Sequence, residues 1–240
     1  MSHNMQGGYK TTSIRSSMLE WVCEQKPLAV LLQETWLSGD DKFLRSTMAA
    51  EAPEYTLVTA SSCNHTGRGG TAVIIHKSVG LAVVQNKVYA ASEGNILAVP
   101  VRTLVSGQLM WLVSIYVPCD AKDRDSFFKK DMYKLLEHMA IEGKAADIII
   151  VGTDANAVMD PSQDIQWERY NPATRDSNLN LYSESSKMFN AWLDTADLLD
   201  TWKRHHQGVR EYTRLAQVHS QVDKRLDFIS SSTEGLEIVV

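Results

Sequence analysis

The chain has 240 residues, 44% hydrophobic and 22% charged, which suits one large domain or two small ones around a substantial core. Its net charge of −5 leaves any nucleic-acid contact to local patches, and the sequence shows neither a bilayer-length apolar run nor a signal-peptide core in MSHNMQGGYK. Three scattered cysteines, Cys23, Cys63 and Cys119, argue against a disulfide framework or a cysteine zinc site and fit a reducing, intracellular setting without a membrane partner.

Asn4 stands beside a turn-like Met5-Gln6-Gly7-Gly8. From Thr12 to Gln25 the spacing of Ile14, Met18, Leu19 and Val22 predicts a helix with those residues on one face, capped by Thr12 or Ser13. Pro27 stops it, and Leu28–Leu32 reads as a buried strand that exits into Gln33-Glu34-Thr35-Trp36. Glu34 is either a surface carboxylate at a strand exit or a ligand for a hard divalent cation. Residues 38–56 read as a loop and a short helix, and Ser61–Gly70 as a polar hairpin connection without the Gly-Lys-Ser/Thr ending of a phosphate loop. Four strands follow: Thr71–His76, Leu81–Val84, Asn95–Val105 and Leu109–Val117. In the third, Leu97, Val99, Val101, Thr103 and Val105 alternate to give one buried face, and Pro100 marks an edge or a bulge. The fourth delivers Tyr116 to a strand end before a Pro-containing loop, where packing is a commoner role than chemistry.

Asp125 is the expected cap of a helix with the stripe Phe128, Met132, Leu135, Leu136 and Met139, ended by Gly143. Ile148–Val151 then reads as a strand buried on both faces, broken at Gly152, with Thr153-Asp154-Ala155-Asn156 at its carboxyl end. That is where α/β proteins place ligands and catalytic groups. Asp154 and Asn156 could activate a water and hold an oxyanion, or simply form an Asx turn. Asp160–Ser183 reads as polar and irregular, and a helix is expected around Glu184–Thr195. The segment Thr201–Arg225 has six basic residues, Lys203, Arg204, Arg210, Arg214, Lys224 and Arg225, against Glu211 and Asp223. It is a solvated loop or a surface for phosphates. Adjacent His205 and His206 point apart on an extended loop and make a poor metal site. Arg225–Ile229 reads as a strand whose internal Asp227 needs a partner. No repeat or linker interrupts the mixture of strands and helices, which is consistent with two sheets packed face to face and flanked by helices.

The strand ends Gln33-Glu34, Tyr116-Val117-Pro118, Gly152-Thr153-Asp154-Ala155-Asn156 and Arg225-Leu226-Asp227-Phe228-Ile229 together resemble the endonuclease/exonuclease/phosphatase superfamily. Within it, GRGGTAVIIH, VGTDANAVMD, REYTR and RLDFIS are most similar to the apurinic-like endonuclease domain of LINE-type (non-LTR) retrotransposon polyproteins. The resemblance implies a four-layer α/β/β/α sandwich of two mixed sheets, and Mg²⁺-dependent (or Mn²⁺-dependent) cleavage of a phosphodiester. It implies Glu34 as principal metal ligand with Asn4 nearby, Tyr116 on the phosphate, and Asp154 orienting or deprotonating water. Asn156 would hold the phosphate or leaving group, and Asp227 would orient a catalytic His. Thr213, with Arg210 and Arg214, would lie against DNA. The implied partners are double-stranded DNA and a downstream reverse transcriptase domain, with action in the nucleus.

Three departures qualify the resemblance. The usual Gly-Asp-Phe-Asn is Gly152-Thr153-Asp154-Ala155-Asn156 here, Lys224 stands where a Ser is common, and the closing Ser-Asp-His strand is not in the sequence, which stops at Val240. None of the seven histidines stands in a matching context. The expectation is one domain over residues 1–240, truncated at both ends and impaired as a nuclease. The alternatives are another hydrolase of the superfamily, acting on phosphoinositides, sphingolipids or damaged DNA, or a catalytically dead fragment.

Overall fold

The structure is a computed structural model that describes residues 1–5, 12–37, 42–61, 69–77, 80–91, 93–142, 148–160, 164–165, 172–207, 209 and 227–235. Its frame is two mixed sheets. In the first, β1 (Ser2–Asn4) runs parallel to β2 (Ala29–Gln33), β2 pairs antiparallel with β4 (Thr71–His76), and β4 with β3 (Tyr55–Ala60). The second has the order β10 (Leu199–Asp200), β11 (Asp227–Ser231), β9 (Ile148–Asp154), β8 (Leu109–Tyr116), β7 (Ile96–Thr103) and β5 (Leu81–Val83), with β6 (Tyr89–Ala90) also on β7. Among the described residues, only β8 and β9 are parallel in it.

Side-chain alternation along these strands builds three apolar interfaces and so four layers. On β2, Val30 and Leu32 meet Leu19 and Val22 of α1 (Thr12–Gln25) and Met48 of α2 (Lys42–Glu51). Ala29 and Leu31 on the opposite face meet Leu97, Val99, Leu112 and Ile150 of the second sheet. The outer face of that sheet, with Trp111, Val113, Val151 and Phe228, is covered by Met132, by Leu135 and Met139 of α4 (Tyr133–Glu142), and by Phe189 and Trp192 of α5 (Pro172–Thr195). Both faces of β2, β4, β7 and β8 are therefore buried, which is why their sequences read as continuous apolar runs. The expected two-sheet sandwich flanked by helices is the observed fold.

Several local expectations change. The face of α1 holds Arg15, Leu19 and Val22, whereas Ile14 is exposed. Strand β3 was not expected, although its inward Tyr55 and Leu57 alternate with half-buried Thr56 and Val58. On β7, Leu97, Val99 and Val101 do share the inter-sheet face, but Ile96 and Ala98 are buried beneath the helices and Val105 is fully exposed beyond the strand. Nor is β7 an edge. Pro100 lies opposite a 3₁₀ turn, Gln85–Lys87, that separates β5 from β6, and its carbonyl accepts from the Val84 N–H. The missing N–H of Pro100 thus falls where the neighbouring ladder is interrupted. Asp120, not Asp125, caps α3 (Ala121–Phe127), and a π-helical turn at Phe128–Met132 joins it to α4. Asp125 instead pairs with Lys129 one turn on. Helix α5 begins at Pro172, so the second half of the segment expected to be irregular is helical.

At one point the two sheets come closer than side chains allow. A Cβ on Gly152 would lie 2.6 Å from Ser2 Oγ and 2.8 Å from the Cβ atoms of Ser2 and Leu31. Overpacking of this kind costs roughly 1–3 kcal/mol. Gly152→Ala should therefore lower the urea midpoint at an unchanged m-value, and adding Ser2→Gly should recover part of the loss. A wild-type midpoint for Gly152→Ala would show that the sheets separate freely here.

Candidate active site

Register decides which side chains meet. On β9, Ile148 and Ile150 face the first sheet, so Gly152 and Asp154, in step with them, face it too. Asp154 lies between Tyr116 on β8 and Asp227 on β11, its direct neighbours across the ladder. On the opposing sheet, Asn4 is in register with Gln33, and Glu34 follows. Strand ends from both sheets thus deliver Asn4, Glu34, Tyr116, Asp154 and Asp227 to one mouth of the inter-sheet crevice.

A buried amide fixes the two sheets in this relation. Gln33 is fully buried, and its Nε2 donates to Ser114 Oγ at 3.0 Å, Gly152 O at 3.2 Å and Leu31 O at 3.3 Å. Its Oε1 accepts from Ser2 Oγ at 3.2 Å, and Ser114 Oγ donates to Leu32 O at 2.8 Å. Four strands are joined through one side chain whose polar atoms are satisfied, as burial demands. Asn4 then completes the span, its Nδ2 donating to Asp154 Oδ2 at 2.5 Å.

The loops that leave these strands are held in uncommon conformations. Glu34 has φ +49° and Trp36 φ +52°. Their segment is docked by Thr35 N–H to Gly70 O at 3.0 Å and Trp36 N–H to Gly69 O at 2.9 Å. Gly70 itself has φ +82°, and a Cβ there would meet Thr35 Oγ1 at 2.7 Å. Asn156 has φ +44°. Its N–H donates to Asp154 Oδ1 at 3.1 Å and its Nδ2 to Val117 O at 2.7 Å. Each left-handed residue costs on the order of 1 kcal/mol or more, and such residues gather where surrounding structure over-determines them for function. Both readings of Asp154 and Asn156 are realised: one oxygen of Asp154 closes an Asx turn, and the other faces Asn4.

Electrostatics follow from the convergence. Burial first, then the charges of Asp227 and Glu34, push the Asp154 carboxyl up to about 8, against the opposing effect of bonds from the Asn156 backbone and Asn4. The Tyr116 phenol is driven well above its usual value, by burial first and then by hydrogen bonds with Cys119 and Glu34. Tyr116 Oη lies 3.4 Å from Cys119 Sγ. It stays a neutral donor, while Asp154 changes charge near neutrality.

The profile of the Endonuclease/Exonuclease/phosphatase family matches residues 1–239. The chain belongs to that family. Its members are metal-dependent hydrolases of the nuclease and phosphatase type. The chain is similar in structure to the AP endonuclease LMAP of Leishmania major, with TM-score 0.74 and 15% identity over 98% of this chain and 79% of that one. It is similar also to an AP endonuclease of Archaeoglobus fulgidus, with TM-score 0.66 and 16% identity over 93% and 84% of the two chains. The endonuclease domain of TRAS1, a telomere-specific non-LTR retrotransposon, gives TM-score 0.61 and 13% identity over 98% and 85%. At these identities the likenesses speak to the fold. No curated protein sequence matches the chain.

The family's divalent cation fits this donor set. Asp154 feels the negative charge of both Glu34 and Asp227 in a buried mouth, an arrangement that a hard cation relieves. Among the described residues no three His, Cys, Asp or Glu side chains close into a ready-made cage. That suits an ion held by one or two carboxylates, with water and substrate oxygens completing its shell.

The structure brings together Asn4, Glu34, Tyr116, Asp154, Asn156 and Asp227. Arg210, Thr213 and Arg214 lie outside the described residues. Lys203, grouped with them in the sequence, sits 3.3 Å from the buried Asp164 Oδ1 and so has a structural ion pair. His206 stacks on Trp202, with ring centroids 4.9 Å apart. Among the other described histidines, His76 packs edge-on against Tyr55 and His138 lies beside Tyr89 and Trp111. Sequence reasoning missed Gln33 as the inter-sheet tie and Arg124, whose Nη1 donates to Asn156 O at 2.9 Å. The position of Gln33 directly at the end of an apolar strand was the available signal; Arg124 carried none.

The raised Asp154 value has a stability consequence of definite sign. Between the unfolded carboxyl range near ~4 and the native value of about 8, the native state holds a proton that the unfolded chain has lost. In chelator, stability should therefore fall as pH rises through that window, and more steeply for wild type than for Asp154→Asn. Urea titrations at pH 5, 6.5 and 8 check this. A wild-type minus variant difference that does not change with pH would contradict it.

Proposed function

We propose that the chain is a Mg²⁺-dependent DNA-nicking endonuclease domain of a LINE-type retrotransposon, acting on double-stranded DNA in the nucleus beside a reverse transcriptase of the same polyprotein. The observation that carries the hydrolytic reading is the meeting of Asn4, Glu34, Asp154 and Asp227 at one crevice mouth, with Asp154 raised by burial and then by its acidic neighbours. The sequence wording, together with the likeness to the TRAS1 domain, supports the retroelement reading. Glu34 holds the ion with help from Asn4 and Asp154. Mg²⁺, or Mn²⁺ in its place, supplies charge neutralisation at the phosphate.

The chain's own groups divide the remaining work. Asp154, relieved of its proton, orients the attacking water and accepts from it. Tyr116, kept neutral by burial, donates to a phosphate oxygen. Asn156, fixed through its backbone and amide, presents its carboxamide to the phosphate or leaving oxygen. Asp227, beside Asp154 on the adjacent strand, raises its proton affinity as the acceptor from water, and Arg210, Thr213 and Arg214 contact the duplex.

Two measurements on one variant test this reading. Calorimetric Mg²⁺ titration of Glu34→Ala should show affinity lowered by at least about tenfold, and nicking of supercoiled plasmid should fall in parallel. Superimposable binding isotherms would remove Glu34 from the metal site. Hydrolysis of a phosphoinositide headgroup with the plasmid left intact would assign the chain to a different branch of the family.

A further inference from the structure

Asn156 is held at the mouth by three hydrogen bonds whose partners lie in different parts of the chain. Its N–H is tied to Asp154, its Nδ2 to Val117 O beyond β8, and its carbonyl to the guanidinium of Arg124 on α3. The same Arg124 Nη1 lies 3.5 Å from Cys119 O. Arg124 is half-buried, and its helix is started by Asp120, whose Oδ1 accepts from the N–H of Lys122 at 2.9 Å and of Asp123 at 3.4 Å. One side chain therefore spans the loop that carries Tyr116 onward to Cys119 and the loop that carries Asp154 onward to Asn156.

We infer that Arg124 is a positioning residue for phosphodiester cleavage, holding the Asn156 backbone in its left-handed turn so that the carboxamide stays aimed at the reacting phosphate. This rests on the role proposed for Asn156. The geometry places one charged nitrogen, Arg124 Nη1, against both carbonyl oxygens from a helix one turn past its cap. Released from Arg124, the Asn156 carbonyl loses a charge-assisted bond, and the φ of +44° loses a restraint. The carboxamide then samples other orientations, and displacement by about 1 Å at such a position is worth as much as ~10²-fold in rate.

The test uses Arg124→Met, which keeps the apolar stem and removes the donors, beside Arg124→Lys, Asn156→Ala and the double variant Arg124→Met/Asn156→Ala. With Mg²⁺ and supercoiled plasmid, Arg124→Met should lower kcat by about 10- to 100-fold with KM within about twofold. Arg124→Lys, which keeps one donor for Asn156 O, should recover most of the loss. The double variant should be no slower than Asn156→Ala alone, because Arg124 acts through Asn156. Wild-type rates for Arg124→Met, no recovery by Arg124→Lys, or losses that multiply in the double variant would each overturn the inference. If Asn156→Ala is itself silent, the role proposed for Asn156 fails and this inference with it. A silent Arg124→Met beside a slow Asn156→Ala sinks this inference alone.

Discussion

The close approach of the two sheets at Gly152 is the constraint on which the site depends. Packed sheets normally stand about 10 Å apart, a spacing set by their side chains. Here a residue without a side chain lets β9 settle onto Ser2 and Leu31, and Gln33 reaches the Gly152 carbonyl directly. Two residues farther along β9, Asp154 is near enough to accept from Asn4 on the opposing sheet. A wider spacing would leave a carboxylate on one sheet and an amide on the other with water between them. Gln33 makes the approach specific as well as close, since a slip of one residue in either strand would strand a buried amide without partners.

What that approach produces is an unfavourable concentration of like charge. Asp154, Asp227 and Glu34 share a mouth in which Asp154 is almost wholly buried, and a protein selected for stability alone would not place them so. The left-handed backbone at Glu34 and Asn156 adds to the cost. The apolar interfaces on either side of each sheet offset it, anchored by large buried groups such as Trp111, Phe189 and Trp192. Stability drawn from three interfaces is spent at one end of one of them. The restraints at the mouth are mostly backbone hydrogen bonds from Gly69, Gly70, Val117 and Asn156, which hold geometry without adding charge.

Much of this was legible in the sequence, for reasons that can be named. Strands buried on both faces leave apolar runs, so β2, β4 and β8 were placed to within a residue, whereas β9 was expected to break at Gly152 and instead stays paired through Asp154; polar residues at the carboxyl ends pointed to the mouth. Strand β3 was lost because Tyr55–Ala60 follows a helix closely and its inward-outward alternation lapses at Val58 and Thr59, both half-buried. The cap of α3 was misplaced because Asp120 and Asp125 are equally good by type; only the chain's exit from β8 decides between them. Asp154 and Asp227 were both singled out, but nothing in one dimension says that β11 pairs with β9 and makes them direct neighbours. Lys203 read as one of a basic set until its pairing with the buried Asp164 set it apart. Arg124 lay beyond reach altogether, since an arginine on the first turns of a helix looks like any surface cation until the Asn156 carbonyl is found beside it.

The charges at the mouth also constrain the order in which the site can be filled. A phosphodiester carries a negative charge, and so does each ionised carboxylate that lines the crevice. Without a cation, Asp154 can reduce the repulsion only by keeping its proton, and in that form it cannot accept one from water. On the proposed mechanism, the protonated site would tolerate substrate but not hydrolyse it, whereas the ionised site would be competent and repel substrate. A divalent cation, held by Glu34 as proposed, would remove the conflict, because it would lower the cost of ionising Asp154 and reverse the sign that the phosphate meets. Tyr116 need not take part in that exchange, as its phenol stays protonated in either state. In the proposed reaction the acidity of the mouth would then favour substrate in the metal-loaded state, because the unloaded, ionised site repels an anion.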